Sequence, residues 1–443
     1  MIRREVEFKR LVAVAIEHHN GGRLADAEAA YLAALKVKPH HAAVLHNLGV
    51  LSASRRDFRS ALDQFDASIA AEPRYASAHY NRAAALQTLG RHEEAIRGYS
   101  RAVVIEPEHY ASHRALSFLH LAQSRRGRAL DHFARTYELR RGEDRSGMAA
   151  PSLNSATKTK LLHDAELFRH LEGRSRDGPH FELMARNYEA VARDIPDVMT
   201  RLSEADLKAL GHDYNTAIHV ASAPEIEGGA VRERGDASAI TEQFRAGSVG
   251  AVQVDELLTP RALSALKRYL LESTIWHDFS HIGGFVASYI EDGLACPLVL
   301  QIADEVRATF PDLLGKHPLT QGWAFKGMRP SSAVDIHADD AAISLNFWVT
   351  PNSANLNPEH GGLAVCRLSP PADWVIEDYD EDQARIVSFL ERNASGTLTI
   401  GYAENRAVLF QSHLFHHSDS PKFAEGYLNH RINITLLFGN KQS

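Results

Sequence analysis

Only two cysteines, Cys296 and Cys366, occur in 443 residues. That excludes a disulfide framework and a thiolate zinc site, and it fits a reducing compartment. No apolar run approaches the ~18 residues needed to span a bilayer, so no membrane partner is expected. The opening stretch MIRREVEFKRLVAVAIEHH is basic but has no apolar segment of signal-peptide length, which makes a cytoplasmic protein the expectation. Excess positive charge is lacking too. Lys and Arg number 49 against 56 Asp and Glu, a formal net charge of -7. With no basic stripe to neutralise phosphates, nucleic acid is not an expected partner.

What the chain has instead is length and histidine. At 443 residues it is too long for one core, so two or three domains are expected. Its 25 histidines make metal chemistry worth tracing.

The first third repeats with a period of 34 residues. Small residues recur at Ala27, Ala61, Ala95 and Ala129, and rings follow four positions later at Tyr31, Phe65, Tyr99 and Phe133. Prolines close the units at Pro39, Pro73 and Pro107. The small residue lets two helices approach, the ring fills the space between neighbouring pairs, and proline ends the second helix for want of an amide donor. This pattern resembles the tetratricopeptide repeat. The resemblance covers residues 5 to 141 as four repeats; the last has Arg141 where the closing proline belongs and is expected to lead into a capping helix. Such a solenoid presents a concave surface suited to a protein or peptide. Bracing the next domain, or joining copies of the chain into a homo-oligomer, are the competing uses.

From 142 to 248 the period disappears. A polar loop comes first, then two amphipathic helices, LLHDAELFRHLEGR and HFELMARNYEAVARDI, and a turn-rich stretch, ASAPEIEGGAVRERGDAS. The expectation is a helical connector, largely solvated, without chemistry of its own.

From 249 to 443 the pattern turns to strands. Thr259 and Pro260 read as the N-cap and first position of a helix, and PLVLQIADEVRATF as a second one. GWAFKGMR, AAISLNFWVTP, GGLAVCRL, GTLTIGY, RAVLFQS and RINITLLFG follow as short strands between turn residues. That points to an antiparallel barrel or jelly roll flanked by helices.

Five His-x-Asp/Glu triplets begin at His92, His170, His180, His337 and His417. At helical spacing the first and third residues diverge, whereas on a strand they share a face. His337 and Asp339 are read as opening the strand AAISLNFWVTP, so both side chains can meet one ion. Two histidines and one carboxylate make a facial triad that leaves positions open on non-heme Fe(II). The second histidine must come from RAVLFQSHLFHHSDS, where spacing alone does not separate His413, His416 and His417. Downstream, Arg431, Asn433 and Thr435 share one strand face, and an arginine fork suits a carboxylate.

The order His-x-Asp, distal His, then Arg resembles the 2-oxoglutarate and Fe(II)-dependent oxygenases, and more narrowly the bacterial proteins in which tetratricopeptide repeats precede such a domain. IHADDAAISLNFWVTPNSANLNPEHGGL, LFQSHLFHHSD and GYLNHRINITLLFG carry it. The resemblance implies a multidomain protein, an all-α tetratricopeptide-repeat solenoid followed by a double-stranded β-helix (jelly-roll) with flanking helices. It implies His337, Asp339 and His416 as metal ligands, and Arg431 as the anchor for the 5-carboxylate of 2-oxoglutarate. It implies Asn433 as a second polar contact, and Trp323, Lys326, Asn346 and Trp348 as pocket residues, Lys326 and Asn346 among those that bind the co-substrate. Fe(II), 2-oxoglutarate and O2 would together hydroxylate a substrate, yielding succinate and carbon dioxide. Halogenating relatives lack the carboxylate ligand, so Asp339 favours hydroxylation. A protein or peptide side chain recruited by the repeats is the expected substrate. A small molecule, and a repeat scaffold carrying an inactive barrel, are the alternatives. The acidic insertion DWVIEDYDEDQARIVSFLERNAS, 373 to 395, is read as either a lid or a solvated face.

Overall fold

The computed structural model describes residues 2–142, 153–174, 180–247, 249–280, 284–380, 382–393 and 396–440. The expected polar loop after residue 142 lies largely outside them. Two compact units divide the chain, residues 1–120 and 121–443.

The first unit is an array of helix pairs. They run α1 (Ile2–Asn20), α2 (Leu24–Val37), α3 (Ala42–Ser54), α4 (Phe58–Ala71), α5 (Ala76–Thr88) and α6 (His92–Ile105). A further helix, α7 (Tyr110–Ala122), crosses the division between the units. The residues behind the period are its core. Ala27, Ala61 and Ala95 are fully buried, and Tyr31, Phe65 and Tyr99 almost so. Close approach is literal at Gly49, where an added Cβ would lie 2.5 Å from the Phe65 ring. Each proline sits two residues past a helix end, where it cannot break a hydrogen bond the helix needs. The turn inside each pair needs a left-handed residue, and these too step by 34: Gly22, Arg56, Gly90 and Ser124 all have φ between 56° and 73°.

The second unit begins inside the fourth repeat. Its helix α8 (Arg126–Arg141) carries the expected buried pair Ala129 and Phe133. What ties α8 to this unit is its last turn. Arg141 is buried and forks onto Asp292 at 2.8 and 2.6 Å, while the Tyr137 hydroxyl meets His277 Nε2 at 2.8 Å. The residue standing where a proline was expected is thus an internal ion-pair partner.

The connector is not a solvated spacer. Helices α9 (Lys158–Leu171) and α10 (Phe181–Asp194) form from the two expected segments, but α9 buries Lys160, His163 and Asp164 along with its apolar face. Lys160 Nζ lies 2.7 Å from Asp164 and 2.7 Å from the Trp276 carbonyl. The turn-rich stretch is held in place as well: Glu305 accepts the amides of Ala230 and Val231, and Gln301 both donates to and accepts from Ile226.

Among the described residues from 249 onward, nine strands build the rest. They are β1 (Ala251–Val254), β2 (Phe285–Tyr289), β3 (Leu319–Gly327), β4 (Ile343–Trp348), β5 (Leu363–Cys366), β6 (Thr397–Ile400), β7 (Ala407–Gln411), β8 (His416–Ser418) and β9 (Ile432–Phe438). A six-stranded antiparallel sheet has the order β1-β7-β4-β9-β3-β2, and a three-stranded antiparallel sheet the order β8-β5-β6. Trp348, Val408 and Phe410 of the larger sheet share one apolar cluster with Leu363, Val365 and Ile400 of the smaller. Thr259 caps the helix Pro260–Glu272 as expected, and a second helix, Pro297–Thr309, follows.

The two central strands, β4 and β9, are buried along their whole length. Their alternation therefore sorts two interiors rather than core from solvent. Ile434 and Leu436 pair with Phe347 and Leu345 on one face, which Ile432 shares; Asn433 and Thr435 pair with Trp348 and Asn346 on the other. An amide row in a buried sheet face needs partners, and the functional site begins there.

Candidate metal centre

His337 and Asp339 precede the strand instead of opening it. β4 starts at Ile343, and His337 makes an isolated antiparallel bridge to His416 on β8. The backbone N–H of each donates to the other's carbonyl, at 3.1 and 2.8 Å, and the Asp339 amide donates to the Ser412 carbonyl at 2.9 Å. The segment stays extended, so His337 and Asp339 still share a face while the exposed Asp340 points away. Three turn and loop residues near position 340 break the ladder before regular pairing resumes.

One donor atom each from His337, Asp339 and His416 lies within 4.8 Å of the others. His337 Nε2 is 3.6 Å from Asp339 Oδ1, and His416 Nε2 is 3.5 Å from Asp339 Oδ2. Those separations exceed a hydrogen bond. They are close to the ~3 Å expected between ligands of one ion bound at about 2.1 Å and at right angles. Each imidazole is oriented from behind. Nδ1 of His337 meets the Asp335 carbonyl at 2.9 Å, and Nδ1 of His416 meets the Leu414 carbonyl at 2.9 Å. With Nδ1 protonated to serve those carbonyls, each Nε2 presents a lone pair to the centre. Ser344 completes the frame by donating to Asp339 Oδ2 at 2.9 Å. Burial, then the neighbouring His337 ring, holds His416 well below the usual imidazole range, which keeps it neutral as a ligand must be. Burial raises the Asp339 carboxyl, against the pull of His337 and the Ser344 hydroxyl.

Arg431, Asn433, Asn346 and Thr435 line the same cavity, with Trp323 and Phe325 along one wall. Arg431 is 4% exposed, and among the described residues no carboxylate lies within ion-pair distance of it. Its Nε donates to the Gly361 carbonyl at 2.9 Å and one terminal nitrogen to the Gly362 carbonyl at 3.2 Å, which leaves three of its five N–H donors. Burial depresses the guanidinium to about 10, still a cation at neutral pH. Gly361 and Gly362 make the expected turn. Gly361 has φ 88°, and a Cβ on Gly362 would collide with the Ile400 carbonyl at 1.9 Å. Asn346 Oδ1 and Asn433 Oδ1 are buried without a hydrogen-bond partner. Each such orphan costs roughly 1–3 kcal/mol unless something enters the cavity to satisfy it.

Lys326 does not belong to this cavity. On β3, Trp323 and Phe325 pair with Thr435 and Asn433 and face inward, so Lys326, beside Ile432, points to the other side of the sheet. There its ammonium lies 3.6 Å from the Tyr427 ring centre and 5.4 Å from that of Trp276, and burial pushes its pKa well down. Trp348 faces inward but behind the wall, packed in the inter-sheet core with Arg431 5.9 Å from its ring. His417 lines the cavity from the smaller sheet, with Nδ1 on the Ser418 carbonyl, yet stands outside the three-residue cluster; so does His413, in the turn before β8.

Sequence reasoning missed three supports: Ser344, the two carbonyls that seat Arg431, and strand β2. Ser344 was legible through parity, two positions before Asn346. The carbonyls were not, because they reach Arg431 only through the tertiary fold. In its described part the acidic insertion keeps most of its charged residues on a solvated face, as one of the two readings had it, and adds an apolar face of its own. Tyr379 and Ile386 bury against Ala338, Cys366 and Phe415, and the Ala338 amide donates to the Tyr379 carbonyl at 3.1 Å. It braces the two segments that carry the ligands from behind, and none of its described residues lines the cavity. Both cysteines are buried, and burial pushes the Cys296 thiol up to about 12.

No protein-family model matches the chain, and no curated protein does. Among solved structures it is similar to MamA 41-end from Desulfovibrio magneticus RS-1, at 26% identity over 30-odd per cent of this chain (31%) and 77% of that one, with a TM-score of 0.29. It is similar also to the TPR domain of Arabidopsis OM64, at 19% identity, 26% of this chain, 96% of that one and a TM-score of 0.26. The first TPR of Spaghetti (RPAP3) bound to the HSP90 peptide SRMEEVD is a third such structure, at 20% identity, 27% of this chain, 94% of that one and a TM-score of 0.26.

Proposed function

We propose that the second unit is a 2-oxoglutarate- and Fe(II)-dependent oxygenase of the double-stranded β-helix type that hydroxylates a protein or peptide side chain, with the repeats recruiting that substrate. The observation that carries this reading is a single cavity holding both a buried His–Asp–His cluster and a buried arginine without a carboxylate. A facial triad needs the first and a dianionic oxo-acid needs the second. Arg431 disfavours a simple metal-binding barrel, whose site has no use for a stranded guanidinium.

The residues present fit the group. His337, Asp339 and His416 would hold Fe(II), and Arg431 with Asn433 and Asn346 would hold 2-oxoglutarate. When bound, the metal and its co-substrate supply the oxidation, R–H + 2-oxoglutarate + O2 giving R–OH + succinate + CO2. The chain's own part is positioning. The Asp335 and Leu414 carbonyls fix the imidazole tautomers, and Ser344 fixes the carboxylate. Arg431, seated on two carbonyls, aims its remaining donors at a carboxylate without having to reorganise. Trp323, Phe325 and Leu363 exclude water from the same space.

Incubating the protein with Fe(II), O2 and carbon-13-labelled 2-oxoglutarate and following succinate by NMR tests the reading. We expect slow succinate release without substrate, falling by at least about 100-fold in His337→Ala, as loss of an essential group does. No succinate from protein of verified iron content would overturn it. The second reading, a repeat scaffold with an inactive barrel, rests on the helix-pair array, whose stacked form offers a partner-binding face whatever the barrel does.

A further inference from the structure

Arg431 is only as well aimed as the two carbonyls it rests on, and those belong to a turn at the end of a loop. Gly361 and Gly362 close the stretch between the short helix Asn352–Ala354 and strand β5. A guanidinium that moved with its seat would lose the advantage of being fixed in advance, so the hold on this turn matters to the site.

Two devices hold it. The first is Asn355, 8% exposed, whose side chain spans the turn from inside. Its Oδ1 accepts the Asn357 amide at 3.0 Å, and its Nδ2 donates to the His360 carbonyl at 3.0 Å. A short amide side chain here replaces the backbone partners that a loop lacks. Asn355 is itself fixed by a bridge to Phe423. On either side the Leu356 amide donates to the Lys422 carbonyl and the Ala424 amide to the Ala354 carbonyl, both at 2.8 Å. A Cβ on Gly361 would lie 3.3 Å from the Phe423 ring and 3.4 Å from Asn355 Nδ2, so the turn has little room to shift.

The second device is Asp419, the residue after β8. Its carbonyl accepts the Gly361 amide at 2.6 Å, and its amide donates at 3.2 Å to the Gly362 carbonyl, the same oxygen that receives Arg431. Its carboxylate meets His360 Nδ1 at 2.9 Å. The strand that supplies His416 to the cluster therefore ends on the seat of the arginine. The two devices differ in weight. His360 is half exposed and its pairing is open to solvent, whereas Asn355 is buried and satisfies two backbone groups that lose their partner without it.

We propose that Asn355 is the positioning residue for Arg431, with the His360–Asp419 pair as a weaker second support, and that it thereby sets the preference of the cavity for an oxo acid carrying a distal carboxylate. This rests on the oxygenase reading of the cavity, although Asn355 does not itself line it.

Anaerobic calorimetry on the full chain loaded with Fe(II) tests this by comparing 2-oxoglutarate with 2-oxopentanoate. The second acid keeps the chelating end and has a methyl group in place of the distal carboxylate. The ratio of the two dissociation constants reads the contact with Arg431. In the wild type 2-oxoglutarate should bind at least about 100-fold tighter, as a buried charge-assisted pair allows. Asn355→Ala should cut that ratio at least about tenfold by weakening 2-oxoglutarate, with 2-oxopentanoate and Fe(II) each held within about twofold. His360→Ala should cut it by about threefold or less. A residue with a merely structural role would weaken both acids, or iron, together.

Nitrogen-15 arginine NMR reads the seat with no ligand present. The Arg431 Nε–H signal, assigned by Arg431→Lys, should exchange with water at least about tenfold faster in Asn355→Ala. Should that variant not fold, Asn355→Asp, which keeps the acceptor for the Asn357 amide and loses the donor to His360, decides on the same two readings. An unchanged ratio with an unchanged exchange rate, or equal weakening of both acids, would overturn the proposal. If the wild type prefers 2-oxoglutarate and keeps that preference without Asn355, the positioning role fails and the oxygenase reading stands. If the wild type shows no preference and Arg431 exchange still rises in the variant, the oxygenase reading fails and the positioning of Arg431 stands.

Discussion

Two buried cations, Arg431 and Lys326, look alike in the sequence and differ in what answers their charge. Arg431 is seated on main-chain carbonyls with donors to spare, facing a cavity; Lys326 faces ring surfaces with no hydrogen-bond partner and no cavity. A buried lone ammonium is a burden that an apolar side chain of similar volume relieves. Lys326→Met should therefore leave 2-oxoglutarate affinity within about twofold and not lower the melting temperature, since the strand parity removes it from the site. A large loss of affinity, read by calorimetry, would return Lys326 to the cavity. Next to it, His163 is fully buried, and burial, with the Lys326 charge second, depresses it to about 3. A depressed folded value means the unfolded chain takes the proton first. Its contribution to stability is complete above the ordinary imidazole value of about 6.5 and is lost as the pH falls toward 3. Urea midpoints measured from pH 7 down to 4 should fall, and fall less steeply in His163→Gln. Parallel slopes would show that His163 is not the buried neutral group described.

At the scale of elements, what the sequence discloses is whatever local periodicity determines. The 34-residue step predicts helices, their small contact residues and their closing prolines, because each repeat uses the same local geometry. Alternation along RINITLLFG predicts which of Arg431, Asn433 and Thr435 face together, and those three do line one cavity. It fails at the start of the strand: His337 and Asp339 are expected to open it, yet β4 begins at Ile343, six residues past His337. It also assigned Lys326 to a face that its own parity with Trp323 contradicts. β2 escaped notice because FVASY, buried almost throughout, has no polar alternation to mark it. The acidic insertion misleads in another way, since its charge count hides an apolar face on Gln383–Arg392 that docks behind Ala338 and Phe415. Ile386 is fully buried there, so Ile386→Ala should cost about 2–4 kcal/mol and also weaken Fe(II) binding although it touches no ligand. Lower stability with unchanged metal affinity would mean the insertion does not position the ligand segments.

Across the whole molecule, the boundary between units carries the lesson. A repeat motif suggests that the array ends where the fourth repeat ends, yet compactness divides the chain at residue 120 because α8 answers to the second unit. Arg141 and Asp292 are buried together, at 1% and 4% side-chain exposure, and removing one strands the other. A chain beginning at residue 121 should keep the stability of this unit, whereas one beginning at 142 should lose about 3–5 kcal/mol through the uncompensated Asp292 carboxylate. Equal unfolding midpoints for the two would place α8 outside the unit. Every residue of the candidate centre lies between Trp323 and Thr435, so the 121-start chain should also bind metal as the full chain does.

The most direct test of the oxygenase account is anaerobic titration of the metal-free full chain with Fe(II) and 2-oxoglutarate, watching for the weak visible charge-transfer band of the chelate. The account predicts the band in the wild type, its loss in His337→Ala, its weakening in Arg431→Ala and its persistence in Lys326→Met. A wild-type protein with iron bound at His337, Asp339 and His416 and no band on adding 2-oxoglutarate would contradict it.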